Sequence, residues 1–119
     1  MPMITPHLKL AVVLGKNKNS LGIGKITLLK AIQKEHSLSK AAKSINMSYR
    51  RAWLLIQELN ESLLEPVLIT HTGGRSGGGS ELTETANQII ALYEQLTWEA
   101  EIATEETRRA LVCMLKHSD

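Results

Sequence analysis

The stretch SLSKAAKSINMSYRRAW, residues 37–53, decides the fold. Ser39 has N-cap chemistry, and Ala41, Ala42 and Ile45 follow it at helical spacing, so a short helix is predicted there. Asn46 tolerates the left-handed backbone that stops a helix. Ser48 then caps a further helix, in which Ala52, Ile56, Leu59 and Leu63 recur at intervals of four, three and four. Two helices joined by so short a turn have the form of a helix-turn-helix. Arg50 and Arg51 stand in the first turn of the second one, at the head of a segment whose other face is built for a core.

Outward from this pair, the spacing on the N-terminal side is helical from residue 25 to near 36, with Ile26, Leu29 and Ile32 on one face and Lys30 and Lys34 on another. Before it, Leu8, Leu10 and Val12 alternate with Lys9, Ala11 and Val13, which predicts a short strand. GKNKNSLGIG, residues 15–24, reads as a turn-rich basic connector. On the C-terminal side, Pro66 ends the third helix. The β-branched VLITHT (67–72) and the glycine-rich GGRSGGGS (73–80) then predict a hairpin with the glycines at its tip. Thr83 caps a long helical segment carrying Ala86, Ile89, Ile90, Tyr93, Leu96, Ala100 and Ala103. It continues through Ala110, Leu111, Met114 and Leu115, with a break near Thr104.

Helix, short helix, turn, helix and hairpin is the order of a winged helix-turn-helix, mainly α with one small β-hairpin and a long C-terminal helix. The expected division is residues 1–82 for the winged domain, with the helix-turn-helix at 39–63 and the wing at 67–82, and residues 83–119 for a helical dimerisation segment.

Charge agrees with that order. The 119 residues carry a net charge of only +2, yet residues 1–60 hold ten Lys/Arg against two Glu, and residues 61–119 hold four against ten acids. A basic half suits a polyanion, and an acidic half suits another task away from it. In the third helix, Ser48, Tyr49, Arg50 and Arg51 would occupy the first exposed turn. There a guanidinium fork can bind guanine O6 and N7 or clamp a phosphate. Trp53 is expected to pack, with an edge at the groove. Arg75 and Ser76 sit at the wing tip, where glycines let backbone N–H groups approach a phosphate. Ser39, Lys40 and Lys43 of the short helix, and Gln57 two turns beyond Arg50, complete the candidate DNA-binding set. A solvated helix face and a plain surface loop would use the same residue types.

Other chemistries find little support. NSLGIGKI precedes a helix as a phosphate-binding loop would, but Asn19 and Ile26 stand where Gly and Ser/Thr are needed. Cys113 and His117 lie four apart, and two ligands do not close a tetrahedral site. No nucleophile has an evident base, so neither enzyme nor cofactor is expected. One cysteine permits no intrachain disulfide, and no apolar run approaches the roughly 20 residues that span a bilayer. A cytoplasmic protein is the expectation.

ITLLKAIQKEHSLSKAAKSINMSYRRAWLLIQELN and PVLITHTGGRSGGGSELTETA closely resemble the N-terminal domain of the ModE family of molybdate-responsive transcriptional regulators, itself a relative of the LysR-type DNA-binding domain. The resemblance rests on Leu28-Leu29-x-x-Ile32, Ser39-x-Ala41-Ala42-Lys43, Ser48-Tyr49-x-x-Ala52-Trp53, Leu59-Asn60, Gly73-Gly74-x-x-Gly77-Gly78-Gly79 and Leu82-Thr83, and covers roughly residues 8–97. It departs at Ala86, where the family usually has glycine, a change that favours the helix. The sequence stops at Asp119, where full-length members continue into β-domains that bind molybdate. The resemblance therefore implies double-stranded DNA as partner and a homodimer, and it does not carry over oxyanion sensing. Operator, sign of regulation and any small-molecule effector are not legible. A protein-interaction module that keeps the fold without specific DNA binding is the rival reading.

Overall fold

The computed structural model describes residues 8–16, 19–71 and 79–116. Strands β1 (Val12–Leu14) and β2 (Asn19–Leu21) form an antiparallel hairpin, with Val12 opposite Leu21 and Leu14 opposite Asn19. Helices α1 (Ile23–Glu35), α2 (Leu38–Ser44) and α3 (Tyr49–Ser62) follow. A second hairpin, β3 (Leu68–His71) with β4 (Gly79–Leu82), leads to α4 (Glu84–Ala103) and α5 (Glu105–Val112). This is the expected mainly helical winged architecture.

The helix ends show why these residues fold this way. Asn46 adopts φ 56° between α2 and α3, as its residue type predicts. The Ser48 hydroxyl accepts from the Arg51 amide at 3.1 Å, and that of Thr83 accepts from the Ala86 amide at 3.2 Å. The cap of α2 is Ser37 rather than Ser39. The chain leaves α1 through His36 at φ 56°, which sets Ser37 in extended backbone with its hydroxyl accepting from the Lys40 amide at 3.1 Å. Ser39 is thereby the second helical residue. Thr104 does mark the break between α4 and α5, but not by capping α5. Its hydroxyl donates back to the Ala100 carbonyl at 2.7 Å and accepts from Arg108 Nε at 3.1 Å.

The N-terminal strand is shorter and later than expected, and the connector after it contains a strand of its own. Gly15, at φ 64°, turns the chain back, and β2 is held by its partner and by burial of Leu21 despite the low β-propensity of Asn19 and Ser20.

One aliphatic core joins these elements. Leu28, Leu29 and Ile32 of α1, Leu59 of α3 and Val67 before the wing are fully buried. Ala41 and Ala42 meet the core beside Ala52, and such small side chains let α2 and α3 approach closely. The wing base is tied down by hydrogen bonds. The Ser80 amide donates to the His36 carbonyl at 3.0 Å, the Thr83 amide to that of Val67 at 3.1 Å, and the Val67 amide to Asn60 Oδ1 at 2.9 Å. At Gly79 a Cβ would lie 3.3 Å from the His36 carbonyl oxygen, so the close approach of β4 suits glycine.

The C-terminal helices extend beyond this body. The Cα radius of gyration is 17.5 Å, against about 13.5 Å for a compact chain of this length. Tyr93, in helical register with Ile89 and Leu96, does not lie on the exposed face of α4. It is buried, and its hydroxyl donates to the Leu10 carbonyl at 2.8 Å. The exposed or half-exposed stripe of α4 runs instead through Ile89, Leu92, Leu96, Ala100 and Ala103, at intervals of three, four, four and three. Helix α5 has no buried residue.

Candidate nucleic-acid interface

Helix α3 buries Ala52, Leu55, Ile56 and Leu59 and turns its opposite face outward. Successive residues on a helix project about 100° apart, so Arg50 and Arg51 do not act as a pair. Arg50 shares the outer face with Trp53, Leu54 and Gln57, three, four and seven residues on. Arg51 lies on the flank that carries Leu55 and Glu58. Both arginines are exposed, and neither guanidinium has a partner among the described residues. Tyr49 is exposed on the other flank.

Trp53 was expected to pack, but 47% of it is exposed, and Leu54 beside it is similarly open. The reason is angular: Trp53 follows the fully buried Ala52 and is rotated a quarter turn away from the core. The outer face thus combines a guanidinium, an amide and two apolar side chains. Those groups match what base edges present in a major groove, namely acceptor pairs and the thymine methyl group.

The other predicted site residues fall into place unevenly. Ser39, Lys40 and Lys43 are exposed on α2, Ser48 is exposed at its cap, and Gln57 is half-buried on α3. Arg75 and Ser76 lie outside the described residues, as does His117. Two of the basic residues counted toward the polyanion-binding half are committed elsewhere. Lys30 pairs with Glu94 of α4 at 2.9 Å, and Lys25 is 94% buried with its Nζ 3.1 Å from Glu58 Oε1. No spacing rule on α1 distinguishes Lys25 from a surface lysine, because its partner lies more than thirty residues away.

Away from α3's exposed first turn, β1, β2, the end of α3 and the α4 stripe enclose an apolar trough of about 200 Å³, lined by residues including Val12, Leu63, Leu92 and Leu96. Among the described residues no three His, Cys, Asp or Glu side chains gather as metal ligands, and no helix is long and apolar enough to cross a membrane.

Residues 23–87, more than half of the chain, match the family model of bacterial regulatory helix-turn-helix proteins of the lysR family. The chain belongs to that family. Among its relatives, the molybdenum transport protein ModE of Azotobacter vinelandii is 38% identical over 87 residues, covering 73% of this chain and 32% of the relative. The transcriptional regulator ModE of Haemophilus influenzae is 39% identical over 72 residues, 60% of this chain and 28% of its own. The DNA-binding transcriptional dual regulator ModE of Escherichia coli K12 is 42% identical over 73 residues, with the same two shares. The chain spans about a third of the length of the curated relatives it matches. The matched family segment takes in α1, α2, α3, the second hairpin and the start of α4, and so includes the helix that carries Arg50 and Arg51.

Proposed function

We propose that the protein is a transcription regulator that binds double-stranded DNA sequence-specifically as a homodimer, with α3 in the major groove, the 72–78 segment of the wing on the backbone or minor groove, and the residues after 83 making the dimer. Catalysis has no part in this reading, and its place of action is the compartment that holds the DNA. The observation that carries it is the first turn of α3: a capped helix start with two arginines that have no partner among the described residues, and an outer face of mixed polar and apolar groups, opposite a buried core face. Relatives that are named DNA-binding or transcriptional regulators support it.

Selection of binding sites from random DNA, followed by titration of variants, tests it. Arg50→Ala is expected to weaken binding to the selected site by about 1–3 kcal/mol and binding to random duplex much less, as loss of a base contact does. Arg51→Ala, on the flank, is expected to weaken both. If Arg50→Ala lowers specific and non-specific affinity equally, the base-reading role is wrong.

Arg75→Ala probes the wing. A phosphate contact there would weaken binding across sequences and reduce the slope of log affinity against log salt by about 0.9. Unchanged slope and affinity would remove the wing tip from the interface.

A further inference from the structure

Helix α3 is held by two kinds of contact. Its apolar face is buried, and burial is non-directional: it holds the helix against the body but defines its angle less sharply than a hydrogen bond does. Directional contacts concentrate at its C-terminal end. Lys25 Nζ, from α1, lies 3.1 Å from Glu58 Oε1 and donates to the Ser20 carbonyl of β2 at 2.6 Å. Asn19 of β2 donates from Nδ2 to the Glu58 carbonyl at 3.1 Å and to Ser62 Oγ at 3.2 Å. Ser62 Oγ in turn donates to the same Glu58 carbonyl at 3.0 Å. The N-terminal hairpin and α1 thus grip residues 58–62 of α3 through one ion pair and two hydrogen bonds, both from Asn19.

A buried ammonium is costly unless its charge is met, and an apolar side chain of similar size would fill the same space with no such demand. Stability alone therefore does not account for Lys25. Direction does: charged hydrogen bonds fix distance and angle together. From Glu58 to Arg50 is about 12 Å along the helix axis. A tilt of about 10° at the gripped end would carry the Arg50 backbone by about 2 Å, beyond the tolerance of about 0.5 Å that a functional constellation allows.

We infer that Lys25, Glu58 and Asn19 are positioning residues for base recognition: they set the angle and register at which α3 presents Arg50, without themselves touching DNA. The inference rests on the proposed reading of α3 as the recognition helix.

The test uses the full chain, the selected site, and a scrambled duplex of equal length. Lys25→Met with Glu58→Gln removes both charges together, so neither is left buried and unmet. This double variant is expected to melt at or above the wild-type temperature and to sediment as wild type does. Its preference for the selected site over the scrambled duplex is expected to fall about tenfold, with affinity for the scrambled duplex unchanged. Asn19→Ala, which removes no charge, is expected to reduce the preference in the same sense and carries the test if the double variant melts early. A purely structural role would move the melting temperature and leave the preference alone. Folded variants that discriminate as the wild type does would overturn this inference and leave the DNA-binding reading standing. A wild-type chain with no preference for any selected sequence would overturn both.

Discussion

Leu92→Glu combined with Leu96→Glu is expected to leave a folded monomer whose apparent affinity for a two-half-site operator is lower by about two to four decades. Leu92 is 64% exposed and Leu96 is open beside it, on a stripe with the three- and four-residue spacing of a helix–helix seam. Neither side chain belongs to the buried core, and both sit at the open side of the trough, so the substitution is expected to cost the protomer less stability than a core change would. Across a two-fold axis four leucines would be lost. At about 1.5 kcal/mol each, the dimer would weaken by about 6 kcal/mol, or four decades in Kd, before like-charge repulsion is added. Two domains held about 34–36 Å apart bind the second half-site intramolecularly, and a monomer forfeits that effective concentration. Sedimentation equilibrium at tens of micromolar, with far-UV circular dichroism as the folding control, reads the result. A monomeric wild type under the same conditions would sink the dimer reading.

Leu59→Ala is expected to cost about 3–4 kcal/mol, while Leu64→Ala, five residues on, costs less than about 0.5. Leu59 is fully buried where α3 meets the body and also lines the apolar trough, so truncation opens a cavity in the core. Leu64 is fully exposed beyond the end of α3. A domain of this size has roughly 5–15 kcal/mol in total, and the first variant should melt roughly 10–20 °C lower. Urea titration checks both, and equal midpoints for the two variants would contradict the assigned packing of α3.

What could be read from the sequence and what could not divide by range. Asn46, Ser48 and Thr83 announce helix ends because the chemistry that makes them do so acts on amides within three residues. The buried stripe of α3 is legible for the same reason, although periodicity alone passed over Leu55. Strand β2 was missed because Asn19 and Ser20 form a strand only by pairing with β1 and bonding to α3. Lys25 looked like one more surface cation because its partner is distant in the chain. Tyr93 is in helical register with Ile89 and Leu96, and only its burial and its bond to the Leu10 carbonyl reveal that it faces inward. The candidate site was legible by position, as the first turn of α3, but not in detail: the inward or outward sense of Trp53 depends on an angle that packing sets.

The hydrogen bonds at the base of the second hairpin bear on how such a protein can diversify. Ser80 to His36, Thr83 to Val67 and Val67 to Asn60 fasten both strand roots to the body by main-chain atoms at five of the six positions. Main-chain bonds survive most substitutions, so β3 and β4 can change side chains while their roots keep the same place against α1 and α3. The attachment of the hairpin to the body is thereby largely separate from the side chains its strands carry.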